Sequence, residues 1–276
     1  VSEAADHGVQ VFDLTRLRKA EAKQNFIADR VLKTVPTAHN IVINPDSGYG
    51  YVVGTNRNDE FFGGVHFLDL NDPKSIRFVG GYGKGGYSHD AQVVIYDGPD
   101  QDYSGKEIFL GSNESKLVIV DVTDKANPKA ISEINYQNNY YTHQGWFDKD
   151  QRFFILGDEL DETIVGGKTR TLVFDLNDLD NPVLHHTYFG ATDAIDHNGY
   201  VKGDLFFLAN YTAGIRVISI DDLENKEMTE IGFFDTFPDH NSTTFNGAWN
   251  VYPFFESGVI AISDINSGLF LIKKSD

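Results

Sequence analysis

"LVIVDVTDKANP", Leu117–Pro128, is an apolar run that ends on aspartate and opens into a polar, proline-closed turn. Branched residues suit a pleated strand, while Asp and Asn bond their local backbone and Pro stops further pairing. The same sentence recurs as "VQVFDL" (Val9–Leu14), "VHFLDL" (Val65–Leu70) and "TLVFDL" (Thr171–Leu176), with weaker copies at "IRVISI" (Ile215–Ile220) and "LFLIKK" (Leu269–Lys274). A second signature lies upstream of five of these strands: "AHNIVI", "SHDAQVVIY", "THQGWF", "DHNGYV" and "GAWNVYPFF". The step is 50 residues from His39 to His89, 54 to His143, 54 to His197 and 52 to Trp249.

Between the two signatures stands a further short strand, such as "IFLGSNE" or "FILGDE", and a weaker strand follows each Asp turn. Four short strands in about 50 residues are the pattern of a propeller blade. The fold class expected is therefore all-β: a β-propeller of four-stranded antiparallel blades. A β-sandwich gives no reason for His to recur at this period. Residues 1–276 read as one propeller domain with four complete blades and a partial first and last. The first unit holds only its later strands, which points to missing N-terminal blade material and a parent of six or seven blades. "TRLRKAEAKQNFIADR" (Thr15–Arg30) reads as a helical insertion on the surface.

Composition narrows the function classes. With 276 residues and 41% hydrophobic content there is ample material for a core. A formal charge of −18 opposes nucleic acid and anionic membranes and attracts cations. No cysteine is present, so disulfides and thiolate chemistry are excluded. No apolar run reaches the ~18 residues of a membrane-spanning helix.

The ordered motifs "SEAADHGVQVFDLTRL", "SHDAQVVIYDGPD", "GKEIFLGSNE", "YTHQGWF", "GDELDE" and "FNGAWNVYPFFESGVIAIS" resemble the bacterial choice-of-anchor B family, and the Asp-ended strand resembles the LVIVD repeat. The resemblance covers essentially the whole chain. It implies an exported or surface-anchored propeller, hence an extracytoplasmic location, and says little about chemistry.

In a propeller the start of each first strand and the end of each second strand meet on one face. That would gather His39, His89, His143, His197 and Trp249 with Asp90, Gln144, Asn198, Asp158, Glu159 and Asp264 at a channel mouth. Three readings of the histidines stay open. They could lock neighbouring blades, ligate a transition metal together with carboxylates, or supply one general acid–base. In "DGPDQDYSGKE", Asp97, Asp100, Asp102 and Glu107 are oxygen ligands that would suit Ca²⁺. "GDELDE" (Gly157–Glu162) is a denser acidic cluster that could also hold a cation. No G-x-S-x-G elbow, H-E-x-x-H or P-loop is present.

The leading expectation is a non-catalytic propeller that binds a protein or small-molecule ligand at this mouth. The alternatives are a metal-dependent hydrolase or lactonase-like enzyme using the His/Asp rim, and a structural subunit of a surface assembly.

Overall fold

The computed structural model describes residues 1–274. Strands begin where the repeat places them. A two-stranded ribbon, β1 (Val9–Val11) and β2 (Arg30–Leu32), comes first. The first complete blade is β3 (Asn40–Asn44), β4 (Tyr49–Val53), β5 (Val65–Asp69) and β6 (Arg77–Tyr82). The second is β7 (Asp90–Ile95), β8 (Glu107–Ser112), β9 (Leu117–Asp121) and β10 (Lys129–Ile134). The third is β11 (Thr142–Phe147), β12 (Phe153–Asp158), β13 (Arg170–Asp175) and β14 (Val183–Phe189). The fourth is β15 (Gly199–Lys202), β16 (Leu205–Ala209), β17 (Ile215–Asp222) and β18 (Glu227–Phe234). The last is three-stranded: β19 (Ala248–Tyr252), β20 (Ile260–Asp264) and β21 (Gly268–Ile272).

In every sheet the spatial order follows the chain order. That is the meander of a propeller blade, which puts the fold in the all-β propeller class. The described residues form five blades, four of four strands and one of three, where six or seven were expected of a parent. Thr15–Arg30 is also not the helical segment expected. Only Leu14–Lys19 winds into a 3₁₀ turn, capped by the Asp13 carboxylate, and none of its residues is buried. With no apolar stripe to bury, nothing extends the turn into a helix.

Burial explains the spelling of each strand. The second strands β8 and β12 are buried at all six positions, so "EIFLGS" and "FFILGD" run on without alternation. At the sheet edge, β18 alternates exposed and half-buried residues along its whole length.

The chain divides into two compact units. The first holds residues Val1–Ile95, Lys106–Gly111 and Val120–Ala130, and the second holds the remaining described residues. In the first unit, Val9, Val35, Ala38, Val52, Leu68 and Ile76 form a core cluster. A buried ion pair joins Glu107 to Lys125 at 2.7 Å, and Asn44 and Ser47 also donate to the Glu107 carboxylate. In the second unit, Phe153, Ile155, Val173, Phe206, Leu208 and Ile218 belong to one cluster. Trp146 packs against that cluster, with Tyr200 at 5.0 Å between ring centroids. It is a half-buried residue that packs on the core.

Candidate functional site

The repeated histidine sits where the strand ladder is broken. In β11 the register slips between Thr142, opposite Asp158, and Gln144, opposite Gly157, so His143 is the extra residue of a bulge. In β19 the same slip between Ala248 and Asn250 leaves Trp249 as the extra residue. A bulge re-aims one side chain out of the pleat's alternation. That is why His143 leaves its sheet and meets the corresponding ring of the next blade.

Two stacked pairs result, one in each unit. In the first unit His39 and His89 stack with centroids 4.1 Å apart, and His39 Nδ1 contacts the exposed Glu3 carboxylate at 2.8 Å. In the second unit His143 and His197 stack at 4.3 Å, and Trp249 stacks on His197 at 4.5 Å.

The residues following each histidine form a separate set of links. Asn40 donates to both oxygens of Asp90 at 3.0 and 3.1 Å. The Gln144 carbonyl oxygen accepts from Gly199 N at 2.9 Å, and Asn198 donates to the Trp249 carbonyl at 3.4 Å. Asp90, Gln144 and Asn198 therefore join blade to blade. Burial pushes the Asp90 carboxyl up to about 6, against the pull of Ala91 N–H, Asn40 and His39. Two other rim candidates cap turns. Asp158 accepts from Tyr140 N, Tyr141 N and the Tyr136 hydroxyl, and Asp264 accepts from Asn266 N and Ser267 N.

Glu159 behaves differently. Asp158, pinned by those three donors, holds it over the second histidine pair. One Glu159 oxygen lies 3.6 Å from His143 Nε2, and the other lies 3.5 Å from His197 Nε2. Both histidines are buried, while the Glu159 side chain keeps 14% of its surface exposed. The Tyr211 hydroxyl donates to Glu159 Oε1 at 2.7 Å. Burial, and then the Glu159 charge, raise the Tyr211 hydroxyl well above its ordinary range, so it stays a donor. Tyr211 holds this position with a left-handed φ of 34°, a conformation that costs a tyrosine energy and recurs at functional sites.

The tautomer of His197 decides what the centre can hold. Its Nδ1 faces the Trp249 carbonyl, which can only accept, so Nδ1 carries the proton. In the neutral ring, Nε2 then presents a lone pair toward a carboxylate oxygen. Such an arrangement needs a cation between the two atoms or a second proton on the ring. An Nδ1–H bonded to a backbone carbonyl, which fixes the ring so that Nε2 can coordinate, is the usual outer shell of a metal-binding histidine. Nitrogen and oxygen ligands bound at about 2.1 Å in tetrahedral geometry stand about 3.4 Å apart. Each imidazole stands near that span from a different oxygen of Glu159, His143 at 3.6 Å and His197 at 3.5 Å. The donor set, two imidazoles and a carboxylate, suits a Zn²⁺-, Mn²⁺- or Fe²⁺-type ion with one position open.

The calcium loop expected from Asp97, Asp100, Asp102 and Glu107 does not form. Glu107 is buried against Lys125, Asn44 and Ser47. Asp97 and Asp102 are exposed, and Asp100 caps its own turn while accepting from Leu179 N. The carboxylates that gather around Asp100 are Asp178 and Asp180. Tyr211 was not legible as a site residue, because "NYTAG" reads as an ordinary turn. Neither was the trio Asp161, Glu162 and Asp196, which packs together in the second unit. "GDELDE" gave notice of the first two, but nothing local ties Asp196 to them.

Fold and site together define a β-propeller with a His–Glu–His centre. No protein-family model matches this chain, and no curated protein does. Solved structures do match. A protein from Lactobacillus plantarum superposes with a TM-score of 0.64 at 13% identity, over 89% of this chain and 73% of that one. The periplasmic gluconolactonase PpgL of Pseudomonas aeruginosa superposes with a TM-score of 0.60 at 14% identity, over 85% of this chain and 65% of the enzyme's length. At such identities the likeness is one of fold. The non-catalytic binding propeller expected from sequence is nevertheless corrected. The shared fold includes an enzyme, and two of the histidines face one carboxylate. The lactonase-like alternative is the better supported of the sequence readings.

Proposed function

We propose that the chain is a metal-dependent hydrolase of lactonase type, working at His143, Glu159 and His197. The observation that carries this reading is the pair of Nε2 atoms facing one carboxylate at 3.5 and 3.6 Å, with the His197 tautomer set by the Trp249 carbonyl. His143, Glu159 and His197 would hold the cation, which would polarise an ester carbonyl and lower the pKa of a water. Water adds to the carbonyl carbon, the ring C–O bond breaks, and the released alkoxide takes up the proton, giving a hydroxy acid.

The chain's own residues supply orientation. Tyr211 steadies the Glu159 charge by its hydrogen bond. Trp249, 40% exposed and stacked on His197, offers an aromatic face for the C–H side of a cyclic substrate. The enzyme similar in fold is named for a sugar-acid lactone, which makes such lactones the first substrates to try. An extracytoplasmic location goes with this reading. It is supported by the choice-of-anchor B resemblance and by the periplasmic neighbour. Among the described residues, no helix is long and apolar enough to cross a membrane.

The test is proton release from sugar-derived and aliphatic lactones by the full chain, after reloading with Zn²⁺, Mn²⁺ or Fe²⁺. His143→Ala and Glu159→Gln are each expected to lower kcat/KM at least ~100-fold while melting cooperatively. No lactone opened with any of the three ions, or full activity in His143→Ala, would sink the proposal.

A further inference from the structure

Behind Glu159 lies a second group of acids that the hydrolase reading does not use. Asp161 and Glu162 occupy a single helical turn, Asp161–Ile164, and Asp196 immediately precedes His197. All three are buried, with relative exposures of 4, 2 and 1%. One carboxylate oxygen from each lies within 4.8 Å of the others.

Their hydrogen bonding is incomplete. Arg170 uses its Nε on Asp161 and its backbone N–H on Glu162, and turns its remaining donors to the carbonyls of Gln137 and Asn138. Asp161 and Glu162 have only each other beyond Arg170, and both oxygens of Asp196 have no hydrogen-bond partner. An ionised carboxylate buried without partners is among the costliest groups a protein can hold. Three carboxylates share one guanidinium, so unless they hold protons a cation is required to balance their charge.

The backbone is shaped to keep Asp196 there. A Cβ at Gly157 would fall 2.4 Å from Asp196 Oδ2, so glycine leaves the space that the carboxylate fills. Thr171, the register partner of Gly157, carries a buried hydroxyl that also lacks a partner. A cavity of about 470 Å³ is bordered by Asp161, Glu162, Lys168 and Arg170, and so reaches two of the three carboxylates.

We infer that Asp161, Glu162 and Asp196 bind a hard divalent cation of the calcium class, at a site separate from the His143–Glu159–His197 centre. The ligands are all oxygen, which selects hard ions over the softer ones that imidazole favours. Oxygens bound at about 2.4 Å to one ion lie no more than about 4.8 Å apart, and one oxygen from each of the three carboxylates meets that bound. The ion neutralises the trio and holds the segment that leads into His197. It is a bracing site, and it stands whether or not the neighbouring centre hydrolyses lactones.

The test uses the full chain stripped with a chelator and titrated with Ca²⁺ alone, followed by calorimetry and by melting temperature. One Ca²⁺ per chain and a rise in Tm are expected. Asp196→Asn should weaken binding at least ~100-fold and abolish the rise, and Glu162→Gln serves if that variant does not fold. His143→Ala should leave both readouts as in the wild type. The inference is overturned if about 10 mM Ca²⁺ gives neither uptake nor a Tm shift, since the trio then shares protons in place of an ion. It is equally overturned if uptake survives Asp196→Asn, or if His143→Ala removes it.

Discussion

Asp90 shows how one buried carboxylate sets a pH dependence. Burial raises its folded pKa from 3.8 to about 6, so between those values the folded chain holds a proton that the unfolded chain has released. Stability from this group is therefore greatest below pH 3.8 and falls as pH rises to about 6, by up to about 3 kcal/mol. Asp90→Asn mimics the protonated form. Its stability relative to wild type should improve across that window and level off above it, as read by urea unfolding from pH 3.5 to 7. A flat difference would mean that Asp90 is not held uncharged by burial. Tyr211 tests the His143–Glu159–His197 centre. Tyr211→Phe keeps the ring against His197, at 4.9 Å, and removes the donor to Glu159. Loss of an outer hydrogen bond to a metal-binding carboxylate should weaken Zn²⁺ or Mn²⁺ binding by ~10–100-fold, with little change in Tm. Unchanged affinity would remove Tyr211 from the site.

At the scale of the element, the bulge in β11 and the close approach at β12 do most to shape the site. The bulge sends His143 toward His197, and Gly157 leaves room for Asp196. Gly157→Ala should cost about 1–3 kcal/mol by overpacking and displace the Asp196 carboxylate, giving a lower Tm and a smaller response to Ca²⁺. A neutral Gly157→Ala would show that the approach is not tight. In the first unit, the Glu107–Lys125 pair is buried at both ends. Burial alone would raise the Glu107 carboxyl, but Lys125, Ser47 and Tyr51 outweigh it and hold it below its usual range. Glu107→Ala leaves a buried ammonium without its partner and should cost about 3–5 kcal/mol in chemical unfolding. The strands themselves were legible because alternation, branched residues and Asp–Pro turns are local signals. The 3₁₀ turn at Leu14–Lys19 misled, since charged helix formers there have no core to face.

For the whole molecule, charge is the dominant property. At −18 the chain repels itself, and salt screens that repulsion. Tm should rise from low to moderate ionic strength even with an inert monovalent salt, and Ca²⁺ should raise it beyond the effect of matched ionic strength. A Tm that falls with salt would show that attractive pairs such as Arg152–Asp175 outweigh the net charge. The repeat by itself determined the fold class, the positions of the strands and the spacing of the histidines. Each of these is written in contiguous stretches of about ten residues, where side-chain period and turn chemistry act. Only the tertiary structure decided which of those histidines share a carboxylate. It paired His143 and His197 with Glu159, took Glu107 out of the supposed calcium loop, and brought Asp196 to Asp161 and Glu162. Those choices depend on a bulge, a glycine-sized gap and a tautomer set by a carbonyl some 50 residues away, and none of them leaves a periodic trace in the chain.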